Sequence, residues 1–221
     1  MHIPDGVLPV AVSAAGYATT GAATWYSLRK ISQKENPQEN IPKASLLTAA
    51  FFVASWIHVP VPPTSVHLVL NGLLGAVLGY YSFPAILIGL FFQAVMLQHG
   101  GLTTLGVNAT MMGAPALLAH FVFRLRNVGG KESRVRTGVF GFLAGAGGLG
   151  IAVLIFSILL TTFIPTHLDA AAERASICVL ALAHAPLMVL EGIFTTLVVL
   201  FLRRVKPELL DNGAGDENRT R

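Results

Sequence analysis

The chain opens Met-His-Ile-Pro-Asp-Gly, and a histidine in second place sets up a chelate. The Met1 amine, the His2 amide nitrogen and the His2 imidazole can close on one metal ion. Amine and amide share a five-membered ring, and amide and Nδ1 a six-membered one. Histidine is too bulky a second residue for the initiator methionine to be removed, so Met1 is expected to stay. An amidate is a strong in-plane donor and suits ions that accept square-planar nitrogen, Ni(II) and Cu(II). Three donors leave one corner of the plane for an imidazole from elsewhere. Pro4 fixes φ and Asp5-Gly6 favours a turn, so these residues can feed the first residues back toward the rest of the chain.

The residue chosen for that corner is His67, in Ser-Val-His-Leu-Val-Leu-Asn-Gly beside the proline-rich segment 60–63; His58 and His99 compete for it. Asn71 stands one helical turn beyond His67 and could orient it. Asn108 and the glycine-rich stretch 98–109 read as an ordered loop capping the site. Further along, His184 and Glu191 are seven residues apart and share a helix face. An acid within a membrane span faces the bundle interior and marks either a pathway or a structural network.

The rest of the sequence must supply a membrane scaffold for these groups. Of the 221 residues, 53% are apolar and 12% charged, about half the charge of a soluble domain. Fourteen of the 15 Lys and Arg fall into three clusters: Arg29 to Lys43, Arg124 to Arg136 and Arg203 to Arg221; only Arg174 lies elsewhere. They separate long apolar segments as cytoplasmic loops do. The basic balance therefore reports topology, and nucleic acid is not expected as a partner. The one cysteine, Cys178, excludes an internal disulfide or a cysteine zinc site.

Spans of ~20 apolar residues are expected near 8–29, 44–60, 66–82, 84–99, 107–126, 138–163 and 176–202, the third and fourth divided by Ser82-Phe83-Pro84. The fold expected is an all-α integral membrane protein, a seven-transmembrane-helix bundle with its N-terminus outside and C-terminus inside. Seven spans put every basic cluster inside. The histidines then collect on the outer side: His2, His58, His67, His99 and His167 at outer loops or helix ends, and His184 in the outer half of the last span. His120 alone lies toward the inner side. One domain, 1–205, is expected, followed by a disordered cytoplasmic tail, 206–221.

Small residues recur at four-residue spacing: Ala14, Ala18 and Ala22; Gly75 and Gly79; Gly141 and Gly145. Such stripes allow close helix packing in lipid, and the Ala14–Ala22 stripe could dock a partner helix. No GxxxxGK[ST] loop is present, nor HExxH or GxSxG. ATP hydrolysis through a phosphate loop is thereby excluded for this chain.

With Met-His-Ile-Pro-Asp-Gly at the start and the segments 65–72, 98–109 and 184–192, the chain resembles the substrate-binding (S) subunits of nickel/cobalt energy-coupling-factor (ECF) transporters. The likeness spans residues 1–205. It implies capture of the ion by Met1, His2 and His67. It also implies a transmembrane coupling subunit, a pair of cytoplasmic ATPases and a small accessory membrane subunit in a prokaryotic cell membrane. On this reading the chain is not an enzyme, needs no organic cofactor and takes Ni(II) as its substrate. The cobalt branch usually departs from Pro4-Asp5, which favours nickel and leaves Co(II) as the alternative. Asp5, Asn71, His99, Asn108, His184 and Glu191 are supporting candidates. Two other readings stay open: an intramembrane metal-dependent enzyme built on His184 and Glu191, and an autonomous divalent-metal channel.

Overall fold

The computed structural model describes residues 2–61, 64–128, 133–164 and 169–210. Among these residues seven α-helices run in order: α1 (Val10–Ser32), α2 (Ile41–Ala54), α3 (Asn71–Leu78), α4 (Ser82–Leu97), α5 (Leu105–Arg124), α6 (Arg134–Thr162) and α7 (Ala170–Val205). Between α2 and α3 sits an antiparallel hairpin of β1 (His58–Val61) and β2 (Thr64–His67), with His58 opposite His67.

Among the described residues, four stretches are long and apolar enough to cross a membrane: Asn71–Leu97, Leu105–Asn127, Arg134–Thr162 and Ala170–Val205. Helices α1 and α2 stand where the first two spans were expected. However, α2 has only 14 residues, and glycine, serine and threonine interrupt the apolar residues of α1.

The third expected span, 66–82, is not a continuous helix. Its first residues belong to β2, because proline and the β-branched Val and Thr around positions 59–66 favour extended backbone. His67 therefore ends a strand instead of opening a helix. The boundary between the third and fourth helices also moves. Gly79 makes the turn with φ 61°, and Ser82-Phe83-Pro84 begins α4. Proline fits there because a helix's first turn leaves its N–H groups unbonded in any case.

Helix α3 is the centre of the molecule, with all eight of its residues buried. Asn71 fastens its start, donating through Nδ2 to the carbonyls of Gly148 at 3.0 Å and Met112 at 3.4 Å. Those carbonyls belong to α6 and α5, so Asn71 ties three helices together. It does not reach toward His67 as expected, because its amide is taken up by these bonds and by the Gly72 N–H.

Gly141 and Gly145 face α7, where a Cβ on either would collide with Val199 or with the Glu191 carbonyl. Helix α1 turns Gly16 and Thr20 toward α5, and the Thr20 hydroxyl bonds the Gly106 carbonyl at 2.6 Å. Ala14, Ala18 and Ala22 lie exposed on its other face. The tail expected from 206 is ordered through Leu210: Pro207–Leu210 forms a 3-10 turn with Leu210 buried. Arg126 and Lys43 hold that turn by donating to the Leu210 and Leu209 carbonyls, at 2.9 and 3.0 Å. Basic side chains meeting unbonded carbonyls in this way are a common helix-end arrangement.

Candidate metal centre

The segment before α1 folds back onto the start of α5, and Ile3 is fully buried there. Asn108, in the first turn of α5, pairs with Ile3 in both directions. Its Oδ1 accepts from the Ile3 N–H and its Nδ2 donates to the Ile3 carbonyl, each at 2.9 Å. Thr104 adds a hydroxyl bond to the same carbonyl at 2.7 Å. An amide side chain is here completing a backbone ladder, which fixes the chain one residue after His2.

The next turn forms at Asp5-Gly6. The Asp5 carboxylate accepts from the Thr103 hydroxyl and from the N–H groups of Thr103, at 2.8 Å, and Leu102, at 3.2 Å. The bond from the Thr103 hydroxyl, aided by those N–H groups, holds the Asp5 carboxyl below its ordinary range. Gly101 lies beneath this latch, and a Cβ there would run into the Asp5 carboxylate and backbone nitrogen. A glycine is required at that point by close approach alone.

These contacts bring His2 to His67 and His99. Each of the three imidazoles offers one nitrogen, and those nitrogens all lie within 4.8 Å of one another. The His2 ring centroid is 4.2 Å from that of His99 and 5.3 Å from that of His67. Two nitrogens facing each other across an ion, with bonds of ~2.0–2.1 Å, stand about 4 Å apart. The cluster is thus close to the spacing that one ion demands.

The hydrogen bonds sort the ring nitrogens. His2 Nε2 meets Gln93 Oε1 at 2.8 Å. The Gln93 amide nitrogen is directed to the Phe51 carbonyl, which sets its oxygen toward His2. An amide oxygen can only accept, so His2 carries its proton on Nε2 and its lone pair on Nδ1. His2 Nδ1 is buried and has no hydrogen-bond partner among the described residues. Burial above all, with His99 and His67 beside it, keeps the His2 imidazole well below the usual histidine range. It is therefore neutral near pH 7, as a metal ligand must be. His67 gives the Nδ1–H to the Leu68 carbonyl at 3.0 Å, which makes Nε2 its lone-pair nitrogen.

The N-terminal segment carries His2, and two elements carry the rest. His67 ends β2. Gln93 is buried in the last turns of α4, and His99 follows where that helix stops. Gln98 takes a left-handed conformation there, and the His99 N–H returns to the Gln93 carbonyl at 3.1 Å. Gln93 thus positions two members of the cluster, one through its side chain and one through its backbone. Sequence reasoning missed it. The signal was a lone amide in the apolar run Phe-Phe-Gln-Ala-Val-Met-Leu.

The other candidates occupy defined places. Asp5 and Asn108 hold the N-terminal segment, as described above. His184 and Glu191 are both buried on one face of α7, yet they bond to backbone and not to each other. His184 Nδ1 bonds the Leu180 carbonyl at 2.7 Å. Glu191 Oε1 accepts from the Val69 and Leu70 N–H groups, and Oε2 from Leu70 at 3.1 Å. The carboxylate on which an intramembrane enzyme would depend is therefore engaged with the start of α3. Met1, the chelate's first residue, and His167 lie outside the described residues.

Comparison with known proteins bears on the family and the fold. The family described as cobalt uptake substrate-specific transmembrane region matches residues 2–209. A putative metal transport protein of Haemophilus influenzae is 35% identical over 214 residues, covering 96% of this chain and 97% of that one. The fused nickel transport protein NikMN of Rhodobacter capsulatus is 30% identical over 226 residues, covering 95% of this chain and 64% of its own length. The crystal structure of a transition metal transporter superposes with a TM-score of 0.74 at 22% identity, covering 93% of each chain, and shares the fold. With four apolar helices and a transmembrane family matched almost end to end, the chain is a membrane protein that belongs to the cobalt uptake substrate-specific family, a transmembrane component of cobalt and nickel transport.

Proposed function

We propose that the chain is the ion-capturing subunit of an ATP-driven Ni(II) importer. It takes the ion at the outer face through the Met1 amine, the His2 amide and Nδ1, and His67 Nε2. One observation carries this reading: His2 Nδ1 is buried without a partner while Gln93 holds Nε2, which presents the nitrogen that a ring with the His2 amide needs. Four nitrogens in a plane suit Ni(II). The basic clusters between the apolar segments support an outer N-terminus, and with that orientation the cluster faces the side from which an imported ion arrives. The energy for release comes from a membrane coupling subunit and paired ATPases, since this chain has no phosphate loop.

A second ligand set is favoured by His99, whose ring lies closest to that of His2. Three imidazoles without the amidate would bind Co(II) in a non-planar geometry. Titration of the purified chain with Ni(II) and Co(II) decides between the two. The first reading expects near-stoichiometric nickel with a yellow square-planar absorption band. The second expects tighter cobalt binding with no such band, and an absence of tight binding by either ion rejects both.

His67→Ala is expected to weaken nickel binding more than 100-fold, because loss of a ligand exceeds the ~10–100-fold cost of losing an outer partner; His67 is buried, so the metal-free chain should also lose about 0.5–3 kcal/mol in thermal unfolding. Gln93→Leu removes such an outer partner and is expected to weaken nickel about 10–100-fold. In that variant the absorption band should survive, since all four donors remain. A competition titration against a coloured chelator measures both effects.

A further inference from the structure

His120 is the histidine that the sequence sets apart from the outer cluster. From Asn108 to His120 helix α5 rises about 18 Å, at about 1.5 Å per residue. Its side chain is only 2% exposed, and Tyr80 packs edge-on against the ring with centroids 5.1 Å apart. His120 Nε2 is buried and has no hydrogen-bond partner among the described residues. Asn127 ends the 3-10 turn Leu125–Asn127 that follows α5, and its Oδ1 is buried in the same condition. Both residues line one small cavity of about 10 Å³.

A single water needs about 10–15 Å³ of such space and two to four polar partners. The chemistry of the two atoms fits that occupant. An amide oxygen only accepts, whereas an imidazole nitrogen donates or accepts according to its tautomer. Water gives a proton to the first and meets the second in either role. A cation would face the like charges of Arg124 and Arg126, which share the wall. A halide is larger than water and would be turned against the Asn127 carbonyl oxygen. Ala76 of α3 and Leu210 of the C-terminal turn complete the enclosure, so the cavity lies where α3, α5 and that turn meet. Arg126, beside Asn127 in the chain, is the residue that donates to the Leu210 carbonyl.

We propose that this cavity binds one ordered water that bridges His120 Nε2 and Asn127 Oδ1, and that the bridge braces the seat of the C-terminal turn. By tying Asn127 back to α5, the water fixes the 3-10 turn from which Arg126 reaches Leu210. His120 is thereby a positioning residue for the chain end. The site lies at the end of α5 remote from the histidine cluster, and it requires nothing of the metal chemistry.

The test is a crystal structure of the full chain at a resolution that shows waters, grown with bromide in place of chloride. One water peak is expected within hydrogen-bond distance of both atoms, with no bromide anomalous signal there. A direct bond from His120 Nε2 to Asn127 with no peak between them, or bromide in the cavity, overturns the proposal. The wild-type structure decides this whatever the folding of any variant. Hydrogen exchange then tests the brace at the Leu209 amide, which bonds the Lys206 carbonyl within the turn. His120→Phe and Asn127→Leu should each speed that exchange about ten-fold, the loss expected for one hydrogen-bonded bridge. Asn127→Asp keeps an acceptor oxygen and should keep the exchange slow. Exchange as slow in His120→Phe and Asn127→Leu as in the wild type overturns the brace.

Discussion

Extending the chain by even a few residues before Met1 is expected to abolish tight nickel binding, although it alters no side chain of the cluster. An added residue converts the Met1 amine into an amide. The chelate then loses the donor that closes the ring with the His2 amide nitrogen. Without that ring the amide has little reason to give up its proton, so one change removes two of the four in-plane nitrogens. The expected loss exceeds the ~10–100-fold attached to an outer partner, and the square-planar band should vanish with it. His2 Nδ1 and His67 Nε2 would remain, as in any two-histidine site.

A single leucine inserted between Met1 and His2, bulky enough for the methionine to stay, gives a sharper outcome. The imidazole would then stand third, where an amine, two amides and Nδ1 can complete a plane without help. Any nickel so held should be indifferent to His67→Ala. In the native register the same substitution should be costly. Equal sensitivity to His67 in both registers, or native binding that survives the extension, would dispose of the amine–amide chelate and leave the three-imidazole set built on His99. Chelator competition, run with chains of both registers, measures the difference.

Much of this centre could be read in the sequence because its signals are local. His2 is tied to the chain start, and Asp5-Gly6 is a turn dipeptide. His67 and His99 border polar or glycine-rich segments between apolar runs. Other features depended on chain that is close only in space. Gln93 lies 91 residues from His2, and nothing in its neighbours says which atom it will face. The hairpin that ends at His67 was hidden for another reason. Hydropathy sums apolar content and does not separate a strand rich in valine and proline from the first turn of a buried helix. The basic clusters gave the ends of the helices, but not the turn at Pro207–Leu210. That turn exists because Arg126 and Lys43 reach its carbonyls from two other segments.

Glu191→Ala is expected to destabilise the chain by about 3 kcal/mol or more and to weaken nickel by about 10–100-fold, without any contact between Glu191 and the ion. The carboxylate takes the N–H groups of Val69 and Leu70. Leu70 has a left-handed backbone, φ 56°, where a leucine is strained. Each buried N–H left without a partner costs about 1–3 kcal/mol, and two are stranded together. The residues just before α3 also lose an acceptor at the positive end of a helix, where a carboxylate is favoured. His67 stands two residues before Val69, so any relaxation of that corner moves its Nε2. Glu191→Gln keeps an acceptor oxygen but brings an NH₂ toward Leu70, and should fall between wild type and alanine. Hydrogen exchange at the Val69 and Leu70 amides tests the cause directly. It should rise in Glu191→Ala, and nickel should recover part of the lost stability by binding only the folded state. Slow exchange at both amides, together with nickel affinity lost in Glu191→Gln as fully as in Glu191→Ala, would mean that the carboxylate acts on the ion or on a proton. Graded losses that follow the exchange rates mean that α7 controls His67 through the two peptide groups between them, so a shift of α7 against α3 is a physical route by which a partner subunit could loosen the ion.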